Sequence, residues 1–161
     1  MTQVEKWVAA QPADVWAILA DPRGYAFWVV GSHDIPEADA TWPAVGATFR
    51  HVQGQGPLKM TDTTTVLEVQ APERLVLQVR VRPILTAIVE LELRPQRGGT
   101  CIAIDERVNG GALRLLPRLV TSPLIALRNA DGLRRLAAMA WVRAQARQTS
   151  SKPDQIRASA S

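Results

Sequence analysis

Residues 74–108 read RLVLQVRVRPILTAIVELELRPQRGGTCIAIDERV. Apolar and polar side chains alternate along three parts of this stretch, near 74–82, 86–95 and 100–108. Such alternation is typical of strands that bury one face and expose the other. The side chains predicted to face the core are Leu75, Leu77, Val79, Val81, Val89, Leu91, Leu93, Ile102 and Ile104.

The same strand pattern continues toward the N-terminus. Further strands are predicted near 31–36, 46–53 and 59–70, and an opening strand over 4–10. From residue 31 onward the connections between strands are short and rich in Gly and Pro, whereas a parallel crossover needs about a dozen residues or more. We therefore predict a curved antiparallel meander with one buried face and one solvent-facing face.

Two short helices are predicted between the opening strand and the meander, over 12–20 and 23–30. Pro12 suits the first turn of the first helix, where a missing N–H costs little. Asp21-Pro22 ends that helix, because the residue before a proline is pushed out of the helical region.

A long C-terminal helix is predicted to run from Ser122 to about Arg147, with Ser122 as the N-cap and Pro123 at the first helical position. Its apolar stripe would cover the buried face of the sheet. The stripe comprises Ala126, Asn129, Ala130, Leu133, Leu136, Ala137, Ala140 and Trp141. We predict one α+β domain over 1–147 and a disordered tail over 148–161, which lacks apolar periodicity.

The apolar segment 113–121 precedes this helix and follows Gly110-Gly111. It is predicted to be a short helix or a lid, and transient docking to a membrane surface or a protein through it is a third hypothesis for function. Most of the excess positive charge is carried by arginines of the C-terminal third. Because few aromatic residues accompany them, we interpret these arginines as a solvated helix face and predict no nucleic-acid partner.

The composition is that of an ordinary globular domain, with 161 residues, 47% of them hydrophobic and 21% charged. The one cysteine, Cys101, is interpreted as a buried apolar residue. No leader or membrane-spanning pattern is present, so a cytoplasmic protein without an integral membrane segment is predicted, as a monomer or a homodimer. Neither metal ligands nor a phosphate-binding glycine loop are apparent, and no metal or cofactor is expected.

The order of elements and several short motifs resemble the START-like, or SRPBCC, superfamily, also called the polyketide cyclase/dehydrase and lipid transport family. The similarity spans residues 4 to about 145. It implies a helix-grip fold, in which the sheet wraps around the C-terminal helix and encloses a cavity. The motifs are Pro12-Ala13-Asp14-Val15-Trp16, Leu19, Asp21-Pro22, Trp28, Val45-Gly46, Val66-Leu67-Glu68-Val69, Ala71-Pro72-Glu73-Arg74-Leu75-Val76-Leu77, and Gly98-Gly99-Thr100 leading to Glu106.

Few polar residues are predicted to break the apolar lining of such a cavity. Strand alternation places His51 on the same face as Phe49, and Glu106 on the same face as Ile104. Asn129 interrupts the apolar stripe of the long helix and needs a hydrogen-bond partner there. His51 and Glu106 are candidate catalytic residues, because burial can shift a histidine and a glutamate toward acid–base work near neutral pH.

The leading hypothesis is that the protein binds a hydrophobic small molecule, such as a lipid, an isoprenoid or a polyketide-like compound. The alternative is a cofactor-independent polyketide cyclase, aromatase or dehydratase that uses His51 and Glu106 as acid and base. A cavity lined mainly by apolar groups suits binding more than chemistry. The predicted ligand-binding residues are Trp28, His33, Phe49, His51, Leu77, Val79, Leu91, Ile104, Glu106, Asn129 and Leu133.

Overall fold

Seven antiparallel strands form one sheet in the computed structural model, which describes residues 2–31, 34–53 and 60–150. The sheet order is β1-β7-β6-β5-β4-β3-β2, so β2 to β7 pair in chain order and β1 pairs with β7. The predicted meander is therefore confirmed. The strands are β1 (Thr2–Val8), β2 (Asp34–Ala38), β3 (Thr48–Gln53), β4 (Met60–Gln70), β5 (Arg74–Val81), β6 (Leu85–Gln96) and β7 (Gly99–Gly110).

The two predicted short helices follow β1. They are α1 (Pro12–Leu19) and α2 (Tyr25–Trp28), separated by a 3-10 turn at Pro22–Gly24. The carboxylate of Asp14 accepts a 3.1 Å hydrogen bond from the backbone N–H of Gln11, which satisfies a donor left free at the start of α1.

The C-terminal helix α3 (Arg118–Ser150) begins four residues earlier than predicted. The carbonyl of Pro117 accepts the backbone N–H groups of Val120 and Thr121, at 3.0 and 3.2 Å, and so starts the helix before Ser122. Pro123 consequently lies inside α3 rather than at its first position. A proline there removes one intrahelical hydrogen bond but does not end the helix.

The end of α3 lies three residues beyond the predicted boundary at Arg147. Residues 151–161 lie outside the part of the chain that the structure describes, so a disordered tail stays a prediction. Near its end α3 is joined to α1 by an ion pair between Arg147 and the buried Asp14, with an N–O distance of 2.8 Å.

The core lies between the buried face of the sheet and the helices. Alternation identified this face correctly, because Leu75, Leu91 and Ile102 are fully buried. The helix α3 lies against β1, α1, α2 and β7 and contributes the buried residues Leu133, Leu136, Ala137, Ala140 and Ala144. Trp141 was predicted in this stripe but is half exposed, since α3 turns it away from the sheet.

Candidate functional site

A cavity of about 90 Å³ lies between the sheet, α2 and the first half of α3. Its lining is mostly apolar, with polar side chains from β3, β4, β7 and α3. Seven of the predicted ligand-binding residues line it, namely Trp28, His51, Leu77, Val79, Ile104, Glu106 and Asn129. Val89, which strand alternation placed on the buried face, also lines it, and the residues that sequence reasoning did not assign to it are Tyr25, Val29, Val30, Thr64, Val81, Arg128 and Gly132.

Three of the other predicted ligand-binding residues do not line this cavity. Phe49, Leu91 and Leu133 are buried in the hydrophobic core beside it, and their predicted ligand contact stays a prediction. His33 lies outside the residues that the structure describes, so its predicted role stays untested.

Glu106 is held at one end of the cavity by two side chains of α3. Its carboxylate forms an ion pair with Arg128 and accepts a 3.0 Å hydrogen bond from the amide of Asn129. The Glu106 side chain is only 1% exposed, and burying a carboxylate is tolerated when such partners satisfy it. This bond gives Asn129 the hydrogen-bond partner that a buried amide side chain requires.

Arg128 departs from the sequence interpretation, which placed the arginines of the C-terminal third on a solvated helix face. Its guanidinium instead reaches Glu106 from the edge of the cavity, and it remains 41% exposed. The long, flexible arginine side chain permits this, because its head can reach inward while its stem lies along the helix surface. Sequence alternation cannot reveal such a reach.

His51 faces the cavity as predicted, with its Nε2 2.9 Å from the hydroxyl of Thr64. The His51 ring also packs against Phe49, at 4.7 Å between ring centroids. Burial lowers the pKa of His51 to about 4, because the protonated ring loses its hydration. The ring is therefore neutral near pH 7 and can donate or accept one hydrogen bond at each nitrogen according to its tautomer.

Asp62 is a buried carboxylic acid that sequence reasoning missed. It lies opposite His51 in the pairing of β3 with β4 and on the same face of β4 as Thr64. It is fully buried, and neither oxygen has a hydrogen-bond partner among the described residues. Burial raises its pKa to about 6. Alternation along the predicted strand 59–70 would have found it, because Asp62 shares its parity with the apolar Val66.

Aromatic residues wall the cavity on the α2 side. Tyr25 packs against Trp28, Trp42 and Phe49, with ring centroids 4.8 to 5.6 Å apart. Its hydroxyl donates a 3.1 Å hydrogen bond to the carbonyl of Leu19, and burial raises its pKa. The indole N–H of Trp28 has no hydrogen-bond partner among the described residues although it is buried. A buried unpaired donor in a cavity wall suits a ligand acceptor.

Two kinds of feature are absent from the described residues. Within 2–31, 34–53 and 60–150, no group of three or more His, Cys, Asp or Glu side chains could hold a metal ion. No helix in the same ranges has both the length and the apolar character needed to cross a bilayer.

A family model described as polyketide cyclase / dehydrase and lipid transport matches residues 1–140. No curated protein matches the chain significantly. Among solved structures, a protein from Chromobacterium violaceum is 21% identical, with a TM-score of 0.66 over 86% of this chain and 96% of its own. A protein from Rhodobacter sphaeroides is 24% identical, with a TM-score of 0.66 over 85% and 89%.

Another similar structure is the di-domain ARO/CYC protein StfQ from the steffimycin biosynthetic pathway. It is 12% identical, with a TM-score of 0.68 over 91% of this chain and 51% of its own. At these identities the three structures support the helix-grip fold, which the strand order and α3 display directly.

Proposed function

Because this chain belongs to the polyketide cyclase/dehydrase and lipid transport family, we propose that it binds a hydrophobic small molecule in the cavity between the sheet and α3. The observation that carries the proposal is the character of the lining. It is apolar except for a few polar side chains, which is typical of sites for small apolar ligands. The lipid, isoprenoid and polyketide-like classes predicted from the sequence all have such an apolar body.

The polar groups of the cavity narrow the chemistry of the ligand. The buried N–H of Trp28 lacks an acceptor within the described part of the chain, and the partly exposed guanidinium of Arg128 retains donors beyond those that Glu106 uses. Both groups favour a ligand oxygen, either a carbonyl or a hydroxyl. We therefore propose a ligand with an apolar ring or chain and an oxygen at one end.

The size of the cavity limits the ligand further. Sites for drug-sized molecules measure roughly 300–1,000 Å³. The cavity holds about 90 Å³, so a compact ligand or one end of a longer ligand fits without rearrangement. A complete long-chain lipid requires the lining side chains to move.

Two measurements test the binding proposal. Solvent extraction of the purified protein followed by mass spectrometry should recover an apolar, oxygen-containing compound in stoichiometric amounts. Calorimetric titration should show that acetophenone, a single ring with a carbonyl acceptor, binds more tightly than ethylbenzene, which lacks one. Absence of a co-purified compound together with no binding of either probe would refute the proposal.

Catalysis of a polyketide cyclisation or dehydration is the second candidate function, and the adjacent buried groups His51 and Asp62 favour it. The sequence hypothesis used His51 and Glu106 as base and acid. The carboxylate of Glu106 is already bound by Arg128 and Asn129, whereas Asp62 has a pKa of about 6 and is free to give up a proton near neutral pH. Asp62 is therefore an additional acid candidate beside the cavity, although it is not one of the residues that line it.

Variants separate the two functions. On a verified substrate, His51→Ala, Glu106→Gln and Asp62→Asn should each be assayed for turnover and for binding. Loss of turnover with retained binding supports catalysis by the altered group. Full turnover in all three variants would reject an acid–base role for these residues and leave the binding function. The cytoplasmic location and the oligomeric state stay predictions.

A further inference from the structure

Large apolar side chains are exposed where the chain enters α3. Leu115, Leu119 and Leu127 are 86%, 89% and 72% exposed. Isolated exposed leucines are ordinary on protein surfaces, but contiguous groups of them mark interaction sites. We define the apolar patch as Ile84, Leu115, Leu116, Leu119, Val120, Leu124 and Leu127, each at least 38% exposed.

Helical geometry makes the patch a continuous surface. Leu119, Val120, Leu124 and Leu127 recur at helical spacing and share one face of α3. The opposite face carries the buried residues Thr121, Ile125 and Asn129. The first half of α3 therefore has a buried inner face and an exposed apolar outer face, and the fold accounts for only the inner one.

Backbone hydrogen bonds add the turn between β5 and β6 to the same surface. The N–H of Ala112 donates to the carbonyl of Pro83 at 3.1 Å, and the N–H of Leu113 donates to that of Ile84 at 2.9 Å. These bonds place Ile84 beside the 3-10 turn Ala112–Leu115 that leads into α3. The β5–β6 turn, the segment around the 3-10 turn and α3 thus contribute to one exposed apolar surface.

Positive charge surrounds the apolar patch. Residues 107–130 contain four arginines and no Asp or Glu. Arg82 and Arg114 are exposed at the 82–84 turn and the 3-10 turn, whereas the guanidinium groups of Arg107 and Arg128 are paired with carboxylates of the sheet. The next acid along the chain, Asp131, is already paired with Arg134 and Arg135. An arginine rim around exposed leucines complements a partner with a negatively charged outer layer and an apolar interior directly below that layer.

We propose that the apolar patch docks onto the surface of an anionic phospholipid bilayer. Amphipathic helices bind such surfaces by inserting apolar side chains at the headgroup boundary while basic residues contact the lipid phosphates. A second copy of this chain fits less well, because a two-fold interface would bring the same arginine rim against itself. This surface extends the predicted docking segment 113–121 along α3 to Leu127 and leaves out Leu113, which packs against Val81, Leu85 and Ala87.

Vesicle co-sedimentation tests the proposal with the full chain. The protein should sediment with vesicles of phosphatidylcholine and phosphatidylglycerol, and sediment poorly with phosphatidylcholine alone. Added salt should weaken the binding, because screening reduces the attraction between arginines and lipid. The triple variant Leu119→Ser, Leu124→Ser, Leu127→Ser should bind anionic vesicles at least about tenfold more weakly, a loss of about 1.4 kcal/mol.

A matched control uses exposed apolar residues outside the patch. Val142 lies on the far part of α3 and Leu67 on β4, and they are 59% and 38% exposed. The double variant Val142→Ser, Leu67→Ser should bind anionic vesicles like the unaltered protein. Circular dichroism should show an unchanged fold in both variants, since all five side chains are exposed in the folded protein.

Three results would overturn the proposal. The first is an absence of binding to anionic vesicles, and the second is an equal loss of binding in the patch variant and the control variant. The third is a dimer in sedimentation equilibrium that the patch variant converts to monomer, which would identify a second copy as the occupant. The proposal does not rest on ligand binding in the cavity, so failure of one leaves the other standing.

Discussion

Arg128 of α3 and Glu106 of β7 form an ion pair that ties the first half of the helix to the sheet at the edge of the cavity. The two ends of this pair differ in environment, since the Glu106 side chain is 1% exposed and the Arg128 side chain 41%. Removing Arg128 therefore leaves a buried negative charge with Asn129 as its remaining hydrogen-bond donor among the described residues. Removing one partner should therefore destabilise the protein by more than the intact pair stabilises it.

Replacing Arg128 alone should destabilise the protein clearly. Arg128→Met should lower the free energy of unfolding by about 2 to 4 kcal/mol, somewhat less than the ~3–5 kcal/mol for a fully buried pair because Arg128 is partly exposed. The double variant Arg128→Met, Glu106→Leu should recover most of this loss, since no unpaired charge remains. Urea unfolding near neutral pH measures both.

Arg134→Met provides the control, because Arg134 pairs with Asp131 on the surface and is 73% exposed. Surface pairs contribute little, so this change should shift the free energy of unfolding by less than about 1 kcal/mol. If Arg128→Met changed the free energy of unfolding as little as Arg134→Met, the ion pair between Arg128 and Glu106 would not contribute to stability.

The buried pair His51 and Asp62 should give opposing pH dependences of stability. The pKa of Asp62 rises from 3.8 to about 6 on folding, so its contribution to stability is lost as pH increases through that range. The pKa of His51 falls from 6.5 to about 4, so its contribution is lost as pH decreases through that range. In the unaltered protein the two effects largely cancel between about pH 4 and 6.

Single substitutions should expose each effect. Relative to the unaltered protein, Asp62→Asn should gain up to about 3 kcal/mol of stability as pH rises from 4 to above 6. His51→Gln should gain a similar amount, up to about 3 kcal/mol, as pH falls from 7 to 4. Unfolding curves measured across this range test both. Parallel stability–pH profiles for all three proteins would show that neither group is perturbed by burial.

Two adjacent glycines in the β6–β7 turn should respond very differently to alanine. A Cβ on Gly99 would lie 2.2 Å from the carbonyl oxygen of Val8, so β1 would have to move away from β7. Gly98 has open space around its Cβ position but a φ of +74°. Gly99→Ala should cost about 3 kcal/mol through overpacking, and Gly98→Ala about 1 kcal/mol through backbone strain. Thermal unfolding of the two variants gives the comparison, and equal costs would contradict the close approach of β1.

The fold was predictable because its signals are local and repeated. Alternation of side chains located the predicted strands of the meander, and short connections fixed their antiparallel pairing. The start of α3 was not predictable in this way, because the carbonyl of Pro117 begins the helix before the apparent N-cap Ser122. A stop or start signal in sequence competes with others nearby, and the packing of the whole helix decides among them.

The candidate site was predictable only where the direction of a side chain follows from the backbone. His51 and Glu106 face the cavity because strand parity requires it. Arg128 escaped prediction because its long side chain reaches the cavity from a position that points sideways. Phe49, Leu91 and Leu133 were correctly predicted to be buried. Whether a buried residue also contacts the cavity depends on the packing of individual side chains, which the sequence pattern does not reveal.

Neighbouring residues of β6 offer the sharpest test of the cavity as a binding site. Val89 lines the cavity, whereas Ile88 points to the opposite face of the sheet, so the same substitution can be made inside and outside the site. Val89→Phe should fill the cavity and weaken acetophenone binding at least about tenfold, as measured by calorimetry. Ile88→Phe should leave that affinity unchanged. Both variants should first be shown to unfold cooperatively, because overpacking can cost about 1–3 kcal/mol. Undiminished binding by a folded Val89→Phe variant would place the ligand elsewhere on the protein.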